Sequence, residues 1–199
     1  MKLFYSQNSP FARIARLALR ESGLKSKVSE LLAANREPDN PVLEYSPVGR
    51  VPTLVDGDFV VTEAKNVFAY LVAKSNLDAF CQEPSNGWEE LCQEGQILGF
   101  LDGIASWVRE NRRSEGGRSD FLIQVEMDRS VRCLEFLDGE ADGGRIPEFP
   151  VFRSLALAAA LGLMDFHRYH PEWRKEYASL SNWFARQEQR DSMRETKLF

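Results

Sequence analysis

The chain has 199 residues, 43% hydrophobic and 28% charged, enough to bury the core of one large or two small domains and too apolar for disorder on a large scale. A formal net charge of -5 argues against nucleic acid as a partner, because phosphate binding needs a concentrated basic surface. Three cysteines, Cys81, Cys92 and Cys133, with no CxxC spacing, argue against a disulfide framework or a cysteine zinc cluster and fit a reducing, cytoplasmic setting.

The first residues hold only a short apolar run, MKLFY, which is no signal peptide. KLFY at 2–5 reads as a strand. The polar turn SQNSP follows, and then PFARIARLALRESG places Phe11, Ile14, Ala15, Ala18 and Leu19 at helical spacing until Gly23 stops it. KVSEL at 27–31 is a second strand, which makes a βαβ unit. Residues 32–50 are rich in Pro and Asn, with a short helix near 41–45. TLV, DGD and FVV over 53–61 read as a hairpin on an Asp-Gly turn, and 62–75 as a helix capped by Thr62. This order, β-α-β-(α)-β-β-α, predicts a mixed four-stranded sheet covered by helices.

Strand signals then nearly vanish. Residues 77–87, polar and carrying Pro84, read as a linker between a domain at 1–76 and an all-helical domain at 88–199. Helices are expected at 88–112, 119–138, 150–165 and 172–188, separated by the glycine pairs at 116–117 and 143–144. RRSEGGR at 112–118 reads as a solvated loop. No apolar run reaches eighteen residues, so no membrane span is expected; SLALAAALGLM at 154–164 reads as a buried helix. His167 and His170 have no further ligands at metal-site spacing and read as loop residues.

The junction SQNSPF carries the chemistry. A helix N-terminus leaves backbone N–H groups unpaired, and these groups with the helix dipole stabilise an anion. Pro10 suits the first helical position, and Ser9 is then the N-cap. Nothing nearby supports a Ser-His-Asp triad, and there is no G-x-S-x-G elbow. A capping hydroxyl has one further capability: it can donate to an incoming thiolate. Lowering a thiol from about 8.5 by two units requires roughly 2.7 kcal/mol. One charge-assisted hydrogen bond supplies about 1.5–3 kcal/mol, and a helix terminus up to about 2 kcal/mol.

SPFARIARLAL, YSPVGRVPTLVDGDFVVTEAKNVFAYL and FPVFRSLALAAALGLMDFHR together resemble the bacterial cytosolic glutathione S-transferases. The resemblance runs along essentially the whole chain, its strongest part being the ordered combination in residues 1–71. It implies a thioredoxin-like N-terminal domain, a helical C-terminal domain, glutathione as co-substrate, no metal, a small apolar electrophile as second substrate, a homodimer and a role in detoxification. It also implies that Ser9 activates the thiol, with Tyr5 and Ser6 as rival hydroxyls. The thioredoxin redox positions fall at Ser9 and Ala12, neither a thiol, so disulfide exchange through this motif is chemically ruled out. Val51, before a cis Pro52, is implied to pair its backbone with the cysteinyl part of glutathione. Glu63 and Ala64 match the pair that receives the γ-glutamyl end. The family usually has serine where Ala64 stands; the missing hydroxyl weakens binding, though helix amides or Lys65 can substitute. Arg36 is a candidate for the glycyl carboxylate.

In the helical domain the resemblance makes Ser154 an N-cap, with Leu157 where an aspartate usually completes a capping box. Phe11, Phe100, Trp107 and Phe166 are candidates for an apolar electrophile pocket. Glutathione conjugation is the leading function. Glutathione-dependent isomerase, peroxidase or lyase chemistry is one alternative, and a non-catalytic binding or interaction protein on the same fold is another.

Overall fold

The expected strand order closes into one sheet in the computed structural model, which describes residues 1–34, 37–75 and 87–198. The linker at 77–87 lies outside the described residues except for Gly87; so do Cys81 and Arg36. Strands β1 (Lys2–Tyr5), β2 (Ser29–Leu32), β3 (Thr53–Asp56) and β4 (Phe59–Thr62) lie in the order β2-β1-β3-β4. β1 and β2 are parallel, as the intervening helix α1 (Pro10–Glu21) demands, and β3 runs antiparallel to both β1 and β4. Gly57 makes the β3–β4 turn at φ 62°, a left-handed conformation that glycine adopts without steric cost. Central β1 is covered on both faces: Leu3 is fully buried and Phe4 nearly so.

α1 buries Ile14, Ala15, Leu17, Ala18 and Leu19 completely and packs against α2 (Ala64–Lys74) and, across the domain junction, against α5 (Phe152–Phe166). Its polar edge is tied to β2. Glu30 accepts from Arg16 Nε at 2.5 Å and Arg20 Nη2 at 2.7 Å. Burial pushes this carboxyl's pKa up, but the two guanidinium hydrogen bonds outweigh it and hold the group below its ordinary range.

Helices α3 (Trp88–Asn111) and α4 (Asp120–Asp142) pair with each other, and α5 packs on α3, α1 and α7 (Ala178–Glu188). From Leu155 to Leu161 every side chain of α5 is fully buried, as its all-round apolar sequence requires. Where α5 meets α1, a Cβ on Gly162 would lie 2.0 Å from Arg13 Nη1. Glycine is what lets this guanidinium into the core. There Arg13 donates to Met193 O (3.4 Å) and Thr196 Oγ1 (3.5 Å); burial draws its pKa down to about 10, so it stays charged at neutral pH. The C-terminal helix α8 (Asp191–Glu195) also clasps α1: Arg20 bonds Glu195 at 3.0 Å and Arg190 bonds Glu21 at 2.6 Å. The helix that carries Ser9 is thereby fixed against the helical domain.

Four expectations are corrected. The cap of α2 is Glu63, not Thr62, which is the last residue of β4. α5 begins after Val151, so Ser154 is not its cap but its third residue, and the Ser154 hydroxyl donates back to Val151 O at 2.8 Å. Leu157 then belongs to the core. The helix expected at 172–188 is two, α6 (Trp173–Glu176) and α7, broken at Tyr177 (φ -118°, ψ 71°) with no Gly or Pro to announce it. α8 was not expected at all.

Candidate active site

A cleft of about 950 Å³ separates the two domains. One wall comes from the chain before α1, the segment ahead of β3 and the end of β4; the other comes from α3 and Leu163 of α5.

Ser9 stands at the foot of the first wall. Its backbone is extended (φ -86°, ψ 114°), Pro10 takes the first helical position, and Ser9 Oγ accepts from Ala12 N–H at 3.1 Å. Capping and ligand binding do not compete here. The cap engages a lone pair of the oxygen, while the hydroxyl proton has no acceptor among the described residues. A hydroxyl that accepts a hydrogen bond is also a better donor. Ser6 and Phe11 line the same cleft. Tyr5 does not: its ring lies under the Arg16 guanidinium, 4.2 Å from carbon to centroid, a cation–π contact that accounts for it structurally.

Val51 faces the cleft beside Ser9's loop. The Val51–Pro52 bond is cis, and neither Val51 N–H nor its carbonyl has a partner among the described residues. These are obligatory hydrogen-bonding groups, and they stand next to the space a ligand would fill. Glu63 closes the wall. It is exposed, holds φ 70° and ψ 137°, and does not cap α2 with its side chain. For a residue with a Cβ this conformation costs about 1–3 kcal/mol. It leaves the first amides of α2 uncapped beside the cleft. Ala64 is buried behind Glu63. Lys65 is engaged elsewhere, with Glu94 Oε1 at 2.5 Å.

The sequence reading missed Arg50, which lines the cleft and whose side chain has no partner among the described residues. Its place directly before Val51 was the available signal. The second wall also departs from expectation. Phe11 lines the cleft, but Phe100 is buried in the core, and Trp107 and Phe166 are not among the lining residues. Trp107 packs tilted against Tyr169 with ring centroids 4.4 Å apart, and Phe166 meets His167 edge-on at 4.9 Å. Buried Tyr169 has its hydroxyl pKa pushed up to about 12 by desolvation. The α3 face offers Asp102, Ala105, Val108, Arg109 and Arg112. Arg109 Nη2 donates to Ser106 Oγ at 2.8 Å and lies 3.7 Å from Asp102. His167 is held below its ordinary pKa by burial first and the Arg112 charge second. His170 accepts or donates at Ser130 Oγ, 2.7 Å away, in the turn after α5. Among the described residues no group of three or more His, Cys, Asp or Glu is placed to hold a metal ion, and no helix is long and apolar enough to cross a membrane.

Residues 8–74 match the family model described as glutathione S-transferase, N-terminal domain. The complete architecture matches crystal structures of a glutathione S-transferase from Methylobacillus flagellatus with glutathione bound (24% identity, TM-score 0.88, 100% of this chain and 99% of that one) and of a glutathione transferase family member from Pseudomonas fluorescens with bound glutathione (24%, 0.86, 98% of each). The fold is that of the glutathione S-transferases. The chain is also 29% identical over 178 residues to the uncharacterized GST-like protein YibF of Escherichia coli, covering 87% of this chain and 86% of that one.

Proposed function

We propose that the protein is a glutathione transferase that binds the tripeptide along the first wall and holds its sulfur, as thiolate, against Ser9. The observation that carries this reading is the Ser9 hydroxyl: its oxygen is fixed by Ala12 N–H while its proton remains free at the cleft. Two solved proteins of this fold have glutathione in them, which fits the ligand assignment.

The rest of the wall matches glutathione group by group. The unpaired N–H and carbonyl of Val51 take the cysteinyl peptide. Glu63 takes the ligand's ammonium, and the uncapped start of α2 takes the γ-glutamyl carboxylate. Arg50 takes the glycyl carboxylate, a role first given to Arg36. Binding both reactants in one cleft supplies orientation; the thiolate then attacks the electrophile without a covalent enzyme intermediate. We place the protein in the cytoplasm, as a homodimer, with residues 77–87 as the interdomain linker.

Ala64 favours a second reading, a binding protein without turnover, because it removes a hydroxyl that would anchor the γ-glutamyl carboxylate; one such bond is worth about 1.5–3 kcal/mol. Titration of the bound thiol by ultraviolet absorbance, for native protein and Ser9→Ala, distinguishes the two. The transferase reading expects the thiol to ionise about two pH units lower when bound and to return toward its free value in Ser9→Ala. Bound glutathione that titrates like free glutathione leaves only the binding protein.

A further inference from the structure

We propose that the second substrate carries a carboxylate, which Arg112 of the α3 wall recognises, with Arg109 beside it. This rests on the transferase reading above and replaces the apolar electrophile implied by the resemblance. Asp102, Ala105 and Arg109 of α3 and Arg112, its C-cap, fall at i, i+3, i+7 and i+10, so the row continues along one side of the helix, and all four line the cleft. That face is not apolar. Arg109 is balanced by Asp102 at 3.7 Å. Arg112 lines the cleft, and its guanidinium makes no hydrogen bond or ion pair among the described residues.

A cation at a helix C-terminus is favoured by the dipole alone. Arg113 shows what that role looks like: it pairs with Glu110 at 3.1 Å and does not line the cleft. Arg112 instead faces the space left for the second reactant. Glutathione's own charges are met on the first wall, its ammonium by Glu63 and its carboxylates by Arg50 and the start of α2. One positive charge on the α3 wall is left for the partner molecule. The planar guanidinium fork fits a carboxylate in two parallel hydrogen bonds, while Ala105, Val108 and Phe11 accommodate the apolar body next to it.

A matched pair of aryl halides tests this, 4-chloro-3-nitrobenzoate and 4-chloro-3-nitrobenzamide. With either, the thiolate sulfur forms a bond to the ring carbon bearing chlorine, chloride leaves with the bonding pair, and the thiol proton passes to solvent. Turnover, normalised to each compound's uncatalysed rate, is measured together with calorimetric affinity for the two glutathione conjugates. The expected result is a preference of about tenfold or more for the carboxylate partner in both measurements. Arg112→Gln removes that preference, with the carboxylate partner losing far more than the carboxamide, and leaves glutathione affinity unchanged; Arg113→Gln, which deletes the neighbouring charge outside the cleft, leaves the preference intact. Equal affinities in the native protein, or an equal loss for both partners in Arg112→Gln, overturn the proposal while glutathione binding stands. Failure to bind glutathione and both conjugates overturns the transferase reading and this proposal with it.

Discussion

The two walls of the cleft are built by different means. The first draws on main chain as well as side chains: a peptide unit at Val51 with unpaired N–H and carbonyl and a helix start at Glu63 held at φ 70° stand beside the Ser9 hydroxyl that caps α1. The second is a row of side chains on one helix, with Asp102, Arg109 and Arg112 exposed. Main-chain groups keep their positions through sequence change, and they suit a ligand that is always the same. Side chains on an open helix face can be exchanged at little cost to folding, and they suit a ligand that differs between proteins.

The contrast depends on the two walls being held at a fixed separation, and the Arg13–Gly162 contact is where that is most exposed. Gly162→Ala is expected to cost about 2–4 kcal/mol, because the added methyl must displace a buried guanidinium that has nowhere else to pair. Denaturant unfolding measures it. Adding Arg13→Met to Gly162→Ala should recover much of the loss; no recovery would show that the crowding lies elsewhere. A smaller effect sharpens the claim about the first wall. Glu63→Gly should raise stability by about 1 kcal/mol by releasing its backbone, while Glu63→Gln leaves stability unchanged, and both should weaken glutathione binding by roughly tenfold or more through the lost carboxylate. A Glu63→Gly protein that is no more stable than Glu63→Gln would show that this conformation stores no strain.

The same division governed what could be read in advance. Ser9 as a cap, Pro10 at the first helical turn, the Asp-Gly hairpin and the strand order all follow from rules acting over a few residues, and they stand in the structure as expected. The start of α5 was misplaced because its cap position holds Val151, which offers no side-chain acceptor, while Ser154 three residues on looks like a cap and instead bonds backwards. Glu63 as the cap of α2 had no local signal, since its side chain does not cap. Aromatic residues were assigned to the second wall on composition. Phe100 falls on the buried stripe of α3 with Ile97, Leu101 and Ile104, so it fills the core. Which stripe faces the cleft is decided by how α3 packs on α4 and α5, and no short stretch of sequence encodes that. The spacing of Asp102, Arg109 and Arg112 was present, but it became meaningful only once that packing was known.

A crystal structure of the protein with glutathione tests the central claim most directly. The account predicts the sulfur within about 3.5 Å of Ser9 Oγ, the cysteinyl peptide paired with Val51 N–H and carbonyl, and the γ-glutamyl end at Glu63. A sulfur turned to Ser6 or away from the start of α1, with Val51 still unpaired, would contradict it.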